Sequence, residues 1–263
     1  MIVTTAGRTD EAWIEKAKAV ANHLQVPYIP RKKQSIQKMI AKHAEEILVI
    51  GKERFELYDA SGEKPFFFHP NLATVRMKRI QNGEKDPFIE TCNLHPGMSF
   101  LDCTLGLASD SIVASYVTGE QGKVHGIEVH PFLAYLVGIG LKSWNCEEEI
   151  KRAMDRIQIF NEHHLEFLKK QTDDRYDVVY FDPMFEQTIE ESQGIQSLTK
   201  FAFHNSITQE VVDEALRVAK HRVVLKDHFR SNRFSQFGFH QIIRKTSKFH
   251  YGYIEKRPTQ ASF

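Results

Sequence analysis

The sequence predicts an α/β chain whose larger part is a doubly wound, mostly parallel sheet closed by a C-terminal antiparallel edge hairpin. Three observations carry this. From residue 98 onward, short apolar runs alternate with stretches of helical spacing, the pattern of strands joined by crossover helices. One run, "VVYF" at 178–181, reads as a strand buried on both faces. The last two runs, "FHQIIRK" and "KFHYGYI", lie close enough to pair as a hairpin.

At 263 residues the chain has room for such a domain and a smaller companion. The first ninety residues read as a small N-terminal α/β domain. "MIVTT" is a short strand. "TDEAWIEKAKAVANHLQ" spaces Trp13, Ala17, Val20 and Leu24 as a helix face, with Asp10 and Glu11 in the first turn, where the helix dipole favours them. "VPYI" follows as a strand and "SIQKMIAKHAEE" as a second helix. "ILVIG", "RFELYDA" and "KPFFFHP" are short strands, the last two joined by a turn at Ser61-Gly62. "QNGEKDP" has the composition of a connecting loop, so the expected domains are 1–90 and 91–263.

In the second domain "MSFLDC" leads into a helix over "DSIVASYV". "KVHGIEV" precedes Pro131, a favoured first helical residue, and "FLAYLVGIGLKSW". "RIQIFN", "DVVYFD" and "HRVVLKD" are further strands, with "TQEVVDEALRVA" a helix before the last. Ligands of such sheets bind beyond the carboxyl ends of the strands. The residues to weigh therefore stand just after each strand.

Bulk properties exclude several classes. No apolar run approaches the roughly 20 residues of a membrane span, and the N-terminus lacks a secretory pattern. Cys92, Cys103 and Cys146 are odd in number and widely spaced, against a disulfide framework or a zinc site. A cytoplasmic protein is expected. Charge is distributed unevenly. Residues 91–219 hold ten Lys/Arg against twenty Asp/Glu, whereas 220–263 hold ten against Asp227 and Glu255 alone. A basic end of this kind suits a polyanionic partner or a plain solvated surface. "RKK" at 31–33 and "RMKR" at 76–79 are further candidate contacts.

After the first strand comes "LDCTLGLASDS", with Asp102, Thr104, Gly106, Ala108, Ser109, Asp110 and Ser111. An acid, a glycine turn and a helix start form a cradle for a nucleotide-like ligand or a plain tight turn. Ala108 and Ser111 stand where a G-x-G-x-x-G fingerprint wants glycine, which disfavours a pyrophosphate. The second strand ends at Glu128 and Val129, where an acid can accept hydrogen bonds from both ribose hydroxyls. The third ends in "NEHH". His163 and His164 lack paired metal-ligand spacing and read as pocket lining or surface, with no metal expected. The fourth ends in "DPMF". Asp182 can accept a hydrogen bond from an amino group, Pro183 fixes the backbone, and Phe185 offers a face for stacking a base.

In this order these strand ends resemble class I S-adenosylmethionine-dependent methyltransferases. "LDCTLGLASDS", "IEVHP", "VVYFDPMF" and "RVVLKD" are similar to segments of the RsmJ-type family, and "ILVIGKERFELYD" resembles that family's N-terminal extension. The resemblance implies a Rossmann-like fold, S-adenosyl-L-methionine as cofactor and methylation of a guanine exocyclic amine in small-subunit ribosomal RNA. By position it implies cofactor contacts at Ser109, Asp110, Glu128, Val129 and Asp182, beside Asp102, Thr104, Gly106, His163 and His164. The apolar strand is then expected to end at the reaction centre, with Asp182 and Pro183 orienting the amine and Phe185 stacking on the target base. His163 and His164 replace a Ser-Ser pair, Ala108 replaces a second glycine, and "MKRIQNGEKDPF" replaces a glycine-rich basic stretch. Three alternatives stay open: a methyltransferase for DNA or a protein side chain, a nicotinamide-dependent dehydrogenase, and a non-catalytic ribosome-binding factor.

Overall fold

The computed structural model describes residues 1–43, 46–183 and 207–256. Among these the chain forms two compact units. One comprises Met1–His69 with His130–Gly140; the other comprises Pro70–Val129 and the described residues from Leu141 onward.

The first unit holds a three-stranded sheet of β1 (Ile2–Thr5), β2 (Ile47–Ile50) and β3 (Phe55–Tyr58). β1 pairs with β2 in parallel, and β2 with β3 antiparallel. Helix α1 (Glu11–His23) starts where Asp10 accepts the Trp13 amide at 3.1 Å, satisfying one of the helix's orphan donors. With α2 (Ile36–His43), β1 and β2 enclose a small core of Ile2, Ile36, Met39, Ile47 and Val49. The Ser61-Gly62 turn is present: Gly62 has φ of +61°, and Asp59 accepts from the Ser61 and Gly62 amides. Two expected strands are not. "VPYI" contributes one bridge, Tyr28 to Val3, and "KPFFFHP" one bridge, Phe66 to Leu57. Each proline restricts its neighbours and withholds a ladder donor, so pairing does not propagate.

The second unit opens with two helices, α3 (Asn71–Gln81) and α4 (Pro87–Cys92), the latter capped by Asp86 with Pro87 in its first turn. A seven-stranded sheet follows: β4 (Ser99–Asp102), β5 (Lys123–Ile127), β6 (Ile157–Phe160), β7 (Tyr176–Phe181), β8 (Ala219–His228), β9 (His240–Ile242) and β10 (Phe249–Glu255). Their order is β6-β5-β4-β7-β8-β10-β9. β6 to β8 along that order are parallel, and β10 and β9 close the edge antiparallel. The helices between these strands in the chain are α5 (Ser109–Thr118), α6 (Pro131–Ser143), most of which belongs to the first unit, α7 (Glu148–Asp155), α8 (His164–Lys169) and α9 (Gln209–Val218). This is the Rossmann-like doubly wound sheet with an edge hairpin that the sequence predicts.

Side chains alternate across the strands, so the two faces differ. Leu101, Val179, Phe181, Val223 and Leu225 pack with Val211, Val212 and Ala215 of α9 in an apolar core. The opposite face carries Phe100, Asp102, Tyr180 and Lys226, with Phe88 of α4 edge-on to Phe100 and Tyr180. One face is thus hydrocarbon, and the other admits charge. Successive strands are added outward in opposite directions from β4 and β7, which places the switch point between them.

Candidate active site

Register decides which residues meet at the carboxyl ends of these strands. Asp102 pairs with Tyr180, Tyr180 with Val224, and Phe181 with Leu225. One step further sets Asp182 beside Lys226, on the face that holds Asp102 and Tyr180. Lys226 Nζ lies 2.6 Å from Asp182 Oδ2 and 3.1 Å from Asp110 Oδ2. Tyr180 donates its hydroxyl to the same Asp110 oxygen at 2.8 Å. Arg76 donates to Asp110 Oδ1 at 2.5 Å and forks onto Asp86 at 2.8 and 2.9 Å.

A lysine in a sheet interior is costly unless paired. Burial acts against the Lys226 charge, but the Asp110 and Asp182 carboxylates overcome it and raise its pKa. Burial likewise opposes the Asp110 charge, yet Lys226 and Arg76 prevail and hold that carboxyl well below the usual range. Asp182 goes the other way. Burial pushes it up to about 6 despite Lys226, with the Asp110 charge adding to the rise. Two cations, Arg76 and Lys226, face three carboxylates here, so the cluster carries one uncompensated acid. Asp182 Oδ1 makes no hydrogen bond among the described residues and remains an acceptor.

The turn after β4 is organised by side chains. Asp102 accepts the Thr104 amide at 3.0 Å and the Ser111 hydroxyl at 2.7 Å. Thr104 Oγ1 accepts the Asp182 amide at 2.6 Å, which joins this turn to the end of β7. Burial pushes Asp102 up to about 7 against both hydrogen bonds. Gly106 has φ of +48°, and its amide donates to Glu128 Oε2 at 3.3 Å. Glu128 and Val129 are half-buried at the end of β5, and the Asn161 amide clasps both their carbonyls at 2.7 and 3.0 Å. Ser109, half-buried, opens α5.

The two histidines divide. His163 caps α8 by accepting the Leu165 amide at 3.2 Å. His164 is 1% exposed and stands edge-on to Phe181, and neither of its ring nitrogens has a partner among the described residues. Burial lowers it to about 4, so it is neutral at pH 7. Pro183 is buried beside Asp182, and Phe185 lies outside the described residues.

The model of the SAM-dependent methyltransferase family matches residues 31–250, most of the chain. The chain belongs to that family. The methyltransferase is 46% identical to YpiP of Bacillus subtilis over 98% of its own length and 100% of the relative's. It is 24% identical to ribosomal RNA small subunit methyltransferase J of Dechloromonas aromatica (70% of this chain, 77% of that one) and 29% identical to the namesake from Coxiella burnetii (61% and 63%). The SAM-dependent methyltransferase NGO1261 of Neisseria gonorrhoeae shares the fold, with a TM-score of 0.64 at 17% identity and 98% and 97% coverage. The cofactor is S-adenosylmethionine. Among the described residues no helix is long and apolar enough to cross a membrane.

The methyltransferase's residues suit that cofactor on three counts. The uncompensated carboxylate favours a cationic sulfonium. The half-buried Glu128 offers acceptors to a ribose. His164 is neutral, so its imidazole carries one donor and one acceptor, the complement an adenine edge requires. Arg76, by contrast, is not the surface cation its sequence context suggests, because it is buried in the ion cluster. Lys226 and Tyr180 join the cluster around Asp110 though the sequence motifs do not name them. The signal was a lysine at an alternate position of the apolar run "RVVLKD", where a buried charge demands a carboxylate.

Proposed function

We propose that this methyltransferase modifies an exocyclic amine of a base in small-subunit ribosomal RNA, guanine N2 by its resemblance to its relatives. The observation that carries the reading is the Asp182 carboxylate at the switch point, gripped on one oxygen by Lys226 and without a partner on the other among the described residues. When bound, S-adenosylmethionine supplies an electrophilic methyl group on a sulfonium. Asp102, Thr104, Gly106, Ser109, Glu128, Val129, His163 and His164 hold the cofactor. Asp110, taken up by Arg76, Tyr180 and Lys226, serves the site by fixing Lys226.

An aromatic amine attacks through its lone pair, which orientation exposes more than basicity does. Asp182 Oδ1 accepts one amine hydrogen and sets that orientation. On methylation the nitrogen becomes acidic, so a carboxylate with a pKa of about 6 suffices to receive its proton. Pro183 stiffens the turn that presents Asp182, and Phe185 stacks on the target base. The ribosomal RNA relatives named above support the substrate.

The test is methyl transfer from labelled S-adenosylmethionine to naked small-subunit rRNA and to intact small subunits, both from cells lacking the gene. Label in an N2-methylguanine nucleoside is expected. Label only in DNA or protein, or none with the cofactor demonstrably bound, overturns the substrate.

A further inference from the structure

The end of β8 and the β9–β10 hairpin form a surface that the methyl-transfer chemistry does not use. Residues 228–254 contain five Lys/Arg and no Asp or Glu, interleaved with aromatic rings. Phe229 is 37% exposed, with the Arg230 guanidinium 5.0 Å over its ring and the His228 ring 4.6 Å away. Arg244 lies 5.2 Å from the Phe249 ring and 5.9 Å from Tyr251. Arg230, Arg244 and Lys245 make no ion pair among the described residues. Asp227, next to His228 in the chain, is buried and engaged by Arg233 and Ser231.

The surface is preorganised and reaches the reaction centre. Phe229 donates its amide to the Lys248 carbonyl at 3.1 Å and accepts the Gln241 side chain at 3.0 Å. Buried His250 ties Gln241 to the Arg244 backbone. Lys226, which holds Asp182, sits 5.1 Å from the Phe249 ring. Cations also guard exposed sheet edges against aggregation. That role does not account for this group, since Arg230, Arg244 and Lys245 lie outside the outer strand β9 and an exposed Phe229 works against it.

We propose that this face docks the single-stranded RNA flanking the target base, Phe229 stacking one base and Arg230, Arg244 and Lys245 contacting phosphates. The proposal rests on the RNA reading above. Unstacked bases on exposed rings beside basic side chains are the usual mode of single-strand binding, and a duplex would hide the base faces that Phe229 needs.

The experiment measures binding of a single-stranded small-subunit rRNA fragment, and of its duplex, by fluorescence anisotropy across a salt series. It compares the full-length protein, Phe229→Ala, and Arg230→Ala, Arg244→Ala and Lys245→Ala combined. S-adenosylmethionine affinity, read by calorimetry, controls for folding. Phe229→Ala is expected to weaken single-strand binding on the order of tenfold. The triple variant is expected to shallow the slope of log affinity against log salt by about 2, at roughly 0.7 per lost phosphate contact, with cofactor affinity unchanged. Variants that bind RNA as the parent does, or a parent preferring the duplex, overturn the docking face while parent methylation of RNA still stands. A parent that neither binds nor methylates RNA overturns the substrate reading itself.

Discussion

The Lys226 ammonium is shared by two carboxylates, 2.6 Å from Asp182 and 3.1 Å from Asp110. Asp110 has Arg76 and the Tyr180 hydroxyl besides; Asp182 has Lys226 alone among the described cations. The cluster therefore commits its positive charge to Asp110 and leaves Asp182 the more readily protonated acid. One lysine thus serves a structural ion pair and the acid proposed as the proton acceptor.

Removing that lysine should be expensive. Lys226→Met leaves Asp182 without a described cation and Asp110 with Arg76 alone, and breaking a buried pair in this way costs about 3–5 kcal/mol. Urea unfolding at pH 8 should show a loss of that order. The loss should shrink at pH 5, because without the ammonium both acids protonate more easily. A loss independent of pH would assign Lys226 a packing role only.

Asp182 should govern the pH profile of methyl transfer. Its pKa of about 6 means that the accepting, ionised form is lost as pH falls through that value. Single-turnover rates on the RNA substrate should therefore rise from pH 5 and level above about 7. Asp182→Asn keeps the shape, and should lower the rate by about 10² or more while abolishing the inflection. An asparagine variant with the parent's rate and profile would remove Asp182 from the chemistry.

The strand ends were legible because each joins an apolar run to a polar turn within a few residues, and Asp102, Glu128 and Asp182 all stand where those turns predict. The ion cluster was not. Arg76, Tyr180 and Lys226 reach Asp110 across 34, 70 and 116 residues, so no local pattern joins them. "RMKR" reads as a surface patch for the same reason: charge composition does not show that helix α3 turns Arg76 inward while Lys78 pairs with Glu147 outside. The strands expected at "VPYI" and "KPFFFHP" failed for a different cause, since the apolar character was right but proline stops the ladder.

Asp102 should make the fold less stable as pH rises. Its folded pKa of about 7 lies above the ordinary value of 3.8, so the folded state holds the proton more tightly than the unfolded one. That contribution is complete below the unfolded value and is lost as pH climbs through about 7. Asp102→Asn can still accept the Thr104 amide and donate to Ser111, without the buried charge. Its melting temperature should exceed the parent's at pH 8, by about 3 °C for each 1 kcal/mol relieved, and the two should converge near pH 4. A variant less stable than the parent at pH 8 would show that the ionised carboxylate is needed there.

Ala108 precedes α5 with φ of +61°, a left-handed conformation that a methyl group disfavours by about 1–2 kcal/mol. Its methyl is fully buried, and a buried methylene group contributes about 0.8 kcal/mol. Ala108→Gly therefore relieves strain and loses packing in comparable measure, so its stability should stay within about 1 kcal/mol of the parent. Ala108→Val has no such balance. A β-branched side chain fits this backbone worst, and the site is already closed. Denaturant titration should show a loss of about 2 kcal/mol or more for valine. The Asp102–Ser111 hydrogen bond spans this residue, so the valine variant should also bind S-adenosylmethionine more weakly. Equal stability of the glycine and valine variants would mean that the turn relaxes out of the left-handed region without cost.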